Sequence, residues 1–210
     1  MYMEPFIAPN HNINDVTSQD WKYYSNLSKD ALRQRWQTPK GEQLLKSLHD
    51  DRFSLTALEQ YVGRYSGQFD LRGIPLTNAD LSSLNLSGID FFASDLSGTS
   101  FKNSNLTGSY LSECNISGSI FDWAKLDDAL LDNVKFNQAT SFLGVKLHTI
   151  NFTLATLLYD LAISQQRIQQ LEQHYPIFAC FLRLSCDYGR SFSRYLVWVT
   201  AFIFTYAGIY

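Results

Sequence analysis

Cysteine, histidine and surplus charge are all scarce in this 210-residue chain, and each scarcity removes a class of function. The three cysteines, Cys114, Cys180 and Cys186, are an odd number without CxxC spacing, which argues against a disulfide framework or a cysteine-built zinc site. The four histidines, His11, His49, His148 and His174, fall in separate segments with no cysteine or carboxylate at ligand spacing. They read as ordinary surface histidines rather than as metal ligands or general bases. The formal charge is only -3. Between Arg72 and Leu157 the acids Asp80, Asp90, Asp95, Glu113, Asp122, Asp127, Asp128 and Asp132 are interspersed with Arg72, Lys102, Lys125, Lys135 and Lys146. That surface suits neither phosphate binding nor a dense imitation of nucleic acid. Gly88, Gly98, Gly108 and Gly118 recur with the turns and do not form a G-x-G-x-x-G phosphate loop. The amino terminus lacks a basic-then-apolar leader, so a reducing, cytoplasmic location of the central region is the expectation. No enzyme, cofactor, metal or nucleic-acid partner is expected on these grounds.

What the chain does have is a count of five. From Phe69 the blocks run FDLRG, IPLTN, ADLSS, LNLSG and onward through VKFNQ, and after one extra residue, Ala139, they resume as TSFLG, VKLHT, INFTL and ATLLY. All eighteen block centres, from Leu71 to Leu157, are Leu, Phe or Ile. A period of five fits neither a helix nor a strand, so the chain must turn once per block. Residues two before each centre are mostly small or apolar, as at Ala79, Ser94, Cys114 and Ala129, and suit a second inward position. Cys114 is thereby a core residue rather than a nucleophile. The remaining positions are polar or turn-forming, so the segment reads as a solenoid.

The blocks ADLSS at 79–83, SDLSG at 94–98 and SNLTG at 104–108 resemble the pentapeptide-repeat family, whose pattern is Ala-(Asp/Asn)-Leu and two variable residues. The resemblance implies a mainly β fold, a right-handed quadrilateral β-helix with four blocks per coil, flanked here by an α-helical N-terminal cap and C-terminal helices. Eighteen blocks would make about four and a half coils and a rod about 20 Å long. Residues twenty apart should stack, as Leu71, Phe91, Leu111 and Leu131 with Phe152, and Ala139 should form a corner bulge.

Four segments follow: 1–68, a helical cap with a mobile start to about Val16; 69–159, the repeats; 160–194, capping and juxtamembrane helices; and 195–210, an apolar segment. In the cap, Ser28 should start a helix through Trp36, Thr38-Pro39 a second with Leu44, Leu45 and Leu48 inward, and Leu55–Val62 a third. Beyond the repeats Leu157, Leu161, Ile168 and Leu171 predict a helix to about Tyr175. The uncharged run from Tyr195 to Tyr210 reads either as a partner-covered helix or as a truncated transmembrane helix, since sixteen residues span about 24 Å against a hydrocarbon core of roughly 30 Å. Arg183, Arg190 and Arg194, opposed only by Asp187, are the expected juxtamembrane basic residues and would hold the repeats on the cytoplasmic side. The preceding residues 177–184 would lie along the membrane surface.

Repeats joined to the sequence DYGRSFSRYLVWV at 187–199 are similar to pentapeptide-repeat proteins whose membrane portion resembles two-helix ion channels, although no filter sequence such as TVGYG is present. Two further features bear on partners. Asp122, Asp127, Asp128 and Asp132 form either a solvated rim or a weak cation site. Tyr110 and Leu130, twenty apart, should stack on one outward face with Phe92 beside them, as a partner contact or as incidental exposure. The expected role is a scaffold or regulatory module on the cytoplasmic side of a membrane protein, with a protein partner or self-association. The alternative is a soluble modulator of a topoisomerase that imitates DNA.

Overall fold

The computed structural model describes residues 4–151 and 155–207, without the side chains of 202, 206 and 207. It divides into two compact units, Met1–Ala162 and Ile163–Tyr210.

Hydroxyl caps open each helix of the first unit's amino-terminal part. Ser18 starts α1 (Gln19–Ser25), Ser28 starts α2 (Lys29–Gln34), Thr38 starts α3 (Pro39–Asp50) and Ser54 starts α4 (Leu55–Tyr61). In each case the side-chain oxygen accepts the backbone N–H three residues on, satisfying a donor that has no partner within the helix. The expected helix from Ser28 to Trp36 is α2 followed by a 3₁₀ turn, Arg35–Gln37. Leu48 is buried, whereas Leu44 and Leu45 are only half-buried.

Within residues 4–16, where the chain is expected to be mobile, Phe6, Ile7 and Ile13 are buried and β1 (Asn12–Ile13) pairs in parallel with β2 (Arg64–Tyr65), while Val16 is exposed. The N–H of Arg64 donates to the carbonyl of His11 at 2.7 Å. β2 then turns back on β3 (Gln68–Asp70) in antiparallel fashion, and β3 pairs in parallel with β4 (Ile89–Asp90). The short strand at the amino terminus therefore joins the sheet that begins the solenoid.

From Phe69 the stacking is by twenty. Parallel bridges run Pro75 to Asp95 to Asn115 to Lys135, Asp80 to Ser100 to Ile120, Asn85 to Asn105 to Lys125, and Asp90 to Tyr110 to Leu130. Four such columns make a four-sided section. After Ala139 the step becomes twenty-one, as in Ile120 to Ser141 and Leu130 to Asn151, so the extra residue is absorbed without losing the stack. The N–H of Gly118, which would otherwise meet a backbone carbonyl as Gly98 and Gly108 do, donates instead to Asn137 Oδ1 and Thr140 Oγ1.

The core follows the count. Block centres from Leu71 to Leu131 are buried without exception, as are Phe142 and Leu147. Phe136, beside the extra residue, is half-buried, and Phe152 lies outside the described residues. Leu157 departs from the expectation: it is 75% exposed, because ATLLY already belongs to α5 (Thr156–His174), which buries Leu158 and Ala162 instead. The regular solenoid thus ends near Asn151, about four coils from its start. Four small polar residues at the second inward position share one arrangement, while Ser104 Oγ donates to the carbonyl of Phe101 and Ser109 Oγ is buried without a partner. Ser94 Oγ, Thr99 Oγ1, Cys114 Sγ and Ser119 Oγ each donate to the carbonyl of the block centre twenty-three residues earlier. "Mainly β" is also corrected, since helices hold 41% of the chain and strand pairing 12%. The chain turns so often that most of its ladder consists of single bridges.

In the second unit, beyond the end of α5, α6 (Pro176–Cys186) and α7 (Phe192–Ala207) form a helical hairpin. Asp187, Tyr188 and Gly189 make the reversal with φ of 51°, 56° and 85°, and the N–H of Ser191 closes it on the carbonyl of Cys186 at 3.0 Å. The Phe181 and Trp198 rings are 6.3 Å apart, and Trp198 Nε1 donates to the carbonyl of Leu184 at 3.3 Å. Among the described residues no helix is long and apolar enough to cross a membrane, so the expected transmembrane helix over 195–210 is not found. The expected likeness to two-helix channels gains no support from the hairpin.

Candidate partner-contact face

The position just before each block centre lies on a flat side of the rod and carries the bridges, so its side chains line up along the rod axis. Tyr110 and Leu130 are bridge partners there: the N–H of Leu111 donates to the carbonyl of Leu130 at 2.8 Å, and the N–H of Leu130 to the carbonyl of Ser109 at 3.1 Å. Both side chains are half-buried. Below Tyr110 in the same column stands Asp90, not an apolar residue. Phe92 occupies the next corner, where its N–H donates to Asp90 Oδ1 at 2.9 Å, and it too is half-buried. The structure therefore brings Tyr110 and Leu130 together and puts Phe92 around the corner from them.

Arg183, Arg190 and Arg194 are all exposed in the second unit, on α6, in the reversal and on α7. Arg190 Nη2 lies 3.9 Å from Asp187 Oδ1. The acids of the expected rim do not converge on a cation: among the described residues no group of histidine, cysteine and carboxylate side chains could hold one. Asp122 is instead engaged by the N–H of Leu143 at 3.0 Å.

Two features escaped the sequence reading. The first is a buried ionic junction between the cap and the first coil. Arg35 grips Asp70 with both terminal nitrogens at 2.9 Å, while Arg72 Nε reaches Asp70 Oδ1 at 2.8 Å. Arg35 Nη2 and Trp36 Nε1 also donate to the carbonyl of Arg72, and Arg72 Nη1 to that of Tyr24. Burial alone would raise the Asp70 carboxyl, but the two guanidiniums more than reverse this and hold it well below the usual carboxylate range. Burial pushes Asp90 up to about 7, because Arg72 stands 3.9 Å away and is committed to Asp70. Nearby, burial also pushes the Cys114 thiol up, which removes it further from nucleophilic chemistry. In the sequence Arg72 and Asp90 stand out only as members of the mixed charge along the repeats, and Arg35 and Asp70 not at all.

The second feature is the corner itself. The last residue of every block from Gly73 to Asn133, and again Gly144, has a left-handed backbone. Glycine, asparagine and aspartate suit such a position, but Trp123 holds it with φ of 60° and stands 56% exposed. An aromatic residue where other blocks carry Ser-Gly is the signal that could have singled it out.

Residues 68–98 and 94–133 match the family of pentapeptide repeats, in eight copies. Among solved structures, a pentapeptide repeat protein from the thylakoid lumen of Arabidopsis thaliana is 31% identical, over 38% of this chain and 61% of that one, with a TM-score of 0.26. HetL, a pentapeptide repeat protein involved in heterocyst differentiation regulation in the cyanobacterium Nostoc, is 22% identical over 40% of this chain and 39% of its own, with a TM-score of 0.30. The chain thus spans less than two thirds of the length of either. No curated protein matches it. With bridges every twenty residues and buried block centres, residues 68–133 wind into a β-helix-type solenoid over the same stretch that matches the pentapeptide repeats.

Proposed function

We propose that this chain is a non-enzymatic binding scaffold, a rigid repeat rod that presents one side to a protein partner and is held at a membrane surface by its carboxyl-terminal helices, with the repeats in the cytoplasm. The observation that carries the scaffold reading is the Tyr110–Leu130 pair, in which two apolar side chains occupy adjacent rungs of a backbone ladder whose outward positions are elsewhere largely polar. A ladder of this kind fixes side chains at strand spacing, about 4.8 Å, and so offers a pre-organised contact surface. Phe92 extends it around one corner. The membrane half rests on the three arginines and on the apolar composition of α6 and α7. A role in imitating DNA is disfavoured by Lys102, Lys125, Lys135 and Lys146, which interrupt the acidic positions along the rod.

Proximity labelling in cells with wild-type chain and a Tyr110→Ser, Leu130→Ser variant tests the scaffold reading. A protein lost from the variant's labelled set, with thermal stability unchanged, is the expected result. An identical labelled set from both forms would remove this face as the contact. Cell fractionation and protease protection report the membrane half independently.

A further inference from the structure

We infer that the α6–α7 hairpin binds an anionic lipid bilayer directly, lying in its headgroup boundary with Arg183, Arg190 and Arg194 against the lipid phosphates. This deepens the membrane half of the proposed function and rests on it.

The distribution of apolar surface around α7 selects the occupant. Tyr195, Leu196, Val197 and Trp198 are consecutive and all at least 45% exposed, and successive helix positions are about 100° apart, so together they sweep the whole circumference. Phe192 at 72%, Ile203 at 57% and Phe204 at 77% add apolar surface at both ends. A protein groove takes one stripe of a helix, spaced i, i+3, i+4, i+7. Exposed apolar side chains on more than one face, beyond the side that meets α6, exceed what a single groove covers and call for an apolar layer. Lipid supplies that, and a folded partner surface does not. On α6 the exposed residues Ile177, Phe178, Phe181 and Leu184 belong to the same hairpin, which the Trp198–Leu184 hydrogen bond and the Phe181–Trp198 contact hold together.

Length sets the depth. The sixteen residues of α7 extend about 24 Å, short of the roughly 30 Å hydrocarbon core, which favours shallow or in-plane insertion. Charge sets the lipid. Neither α6 nor α7 carries an acid, and over 176–207 three arginines oppose the one carboxylate of Asp187, a balance of 3 − 1 = +2. An exposed basic cluster beside an apolar helical surface is complementary to an anionic headgroup layer. Trp198 and Tyr195 have the amphipathic rings that settle at that depth.

The test is flotation of the full chain, purified in mild detergent, with vesicles of phosphatidylcholine alone or containing about one third phosphatidylserine. The expected result is recovery with the anionic vesicles, weakened by about tenfold or more in high salt and in the Arg183→Gln, Arg190→Gln, Arg194→Gln variant. Phe204→Ser and Phe178→Ser change exposed positions on α7 and α6, so they should weaken binding while far-UV circular dichroism is retained. A folded chain that stays out of both vesicle types overturns the inference. If that chain still fractionates with cell membranes, membrane attachment stands and its receptor is another membrane protein. If it is recovered with the soluble cell fraction, the membrane half of the proposed function falls as well. Concentration-dependent association that protects Trp198 from quenching, without vesicle binding, would assign the surface to a second copy instead.

Discussion

The indole of Trp123 lies over Gly144 on the next coil, so close that a Cβ added at Gly144 would come within 2.3 Å of Trp123 Cε3. The two share the corner in register, since the N–H of Trp123 donates to the carbonyl of Leu143 at 2.8 Å. Both are left-handed, Trp123 at 60° and Gly144 at 70°. For glycine that backbone is free of strain, whereas for a side-chain-bearing residue it costs about 1–2 kcal/mol. Gly144→Ala should therefore lose about 1–3 kcal/mol, part from its backbone and part from displacing the ring. In a Trp123→Gly background only the backbone part should remain. A double-mutant cycle by urea unfolding measures the difference; additive effects would mean that the indole swings aside without resistance.

The buried junction gives a larger effect. Arg35, Asp70 and Arg72 are nearly inaccessible to water, and Asp70 receives both guanidiniums. Replacing Arg35 by Met keeps much of the side-chain volume but leaves Asp70 with a single partner. A cost of about 3–5 kcal/mol is expected, as for other buried pairs broken from one side. The double variant Arg35→Met, Asp70→Asn should be less stable still, because the buried Arg72 guanidinium then loses the carboxylate that its Nε and Nη2 engage. Thermal unfolding of the single and double variants decides this, and a single variant that melts like the parent would show that the junction contributes little.

The same junction makes the cap pH-sensitive, with two contributions of opposite sign. Asp70 is depressed, so its contribution is present above the ordinary carboxylate pKa and is lost as pH falls below it. Asp90 is raised to about 7, so its contribution is full below about pH 4 and is lost as pH rises toward 7. The charged neighbours of Asp90 are Arg72, Asp70 and Arg35, with the Tyr65 ring and the Cys114 thiol alongside. Stability of the wild type should decline between pH 5 and 7. Asp90→Asn, neutral at every pH, should flatten that slope while leaving the acid limb set by Asp70. Urea midpoints measured across this range check both statements; an unchanged slope would mean that Asp90 does not titrate there.

Some of this was legible in the sequence, for physical reasons that particular residues make plain. Block centres such as Leu96 and Ile116 announce themselves because each five-residue turn needs its own apolar anchor, and the single residue Ala139 betrays a bulge only because the count resumes after it. Helix starts at Ser28 and Thr38 are local capping chemistry and were readable. The burial of Phe6, Ile7 and Ile13 was not, because β1 is two residues long and exists only through β2, more than fifty residues away. Nor could the grip of Arg35 on Asp70 be read, for the pair is thirty-five residues apart and carries no pattern. Leu157 misled for the opposite reason: the count of five ran on by coincidence into a helix whose inward residue is Leu158. For the candidate face, the pairing of Tyr110 with Leu130 followed from the period alone, while the placing of Phe92 at a corner required the backbone of the turn.

The aromatic column inside the rod offers the most direct measure of how the solenoid is held together. Phe101, Phe121 and Phe142 stack at centroid distances of 5.0 and 4.9 Å with interplanar angles of 11° and 6°, and all three are fully buried. Phe121 is the middle ring and touches both neighbours, across the coil in which the step changes from twenty to twenty-one. Phe121→Ala should cost about 3–5 kcal/mol, since it removes burial, both ring contacts and leaves a cavity that the backbone ladders prevent from closing. Phe121→Leu should cost less, about 1–2 kcal/mol, by keeping most of the volume. Each coil contacts only its neighbours, so the loss should be felt locally first. Hydrogen exchange in Phe121→Ala should therefore rise at the amides of Ser141 and Leu143, which bond across to the Ser119 carbonyl and the Asp122 carboxylate of that coil, before it rises at Phe69 and Leu71. Uniform loss of protection along the whole rod would mean that the solenoid unfolds as one cooperative unit.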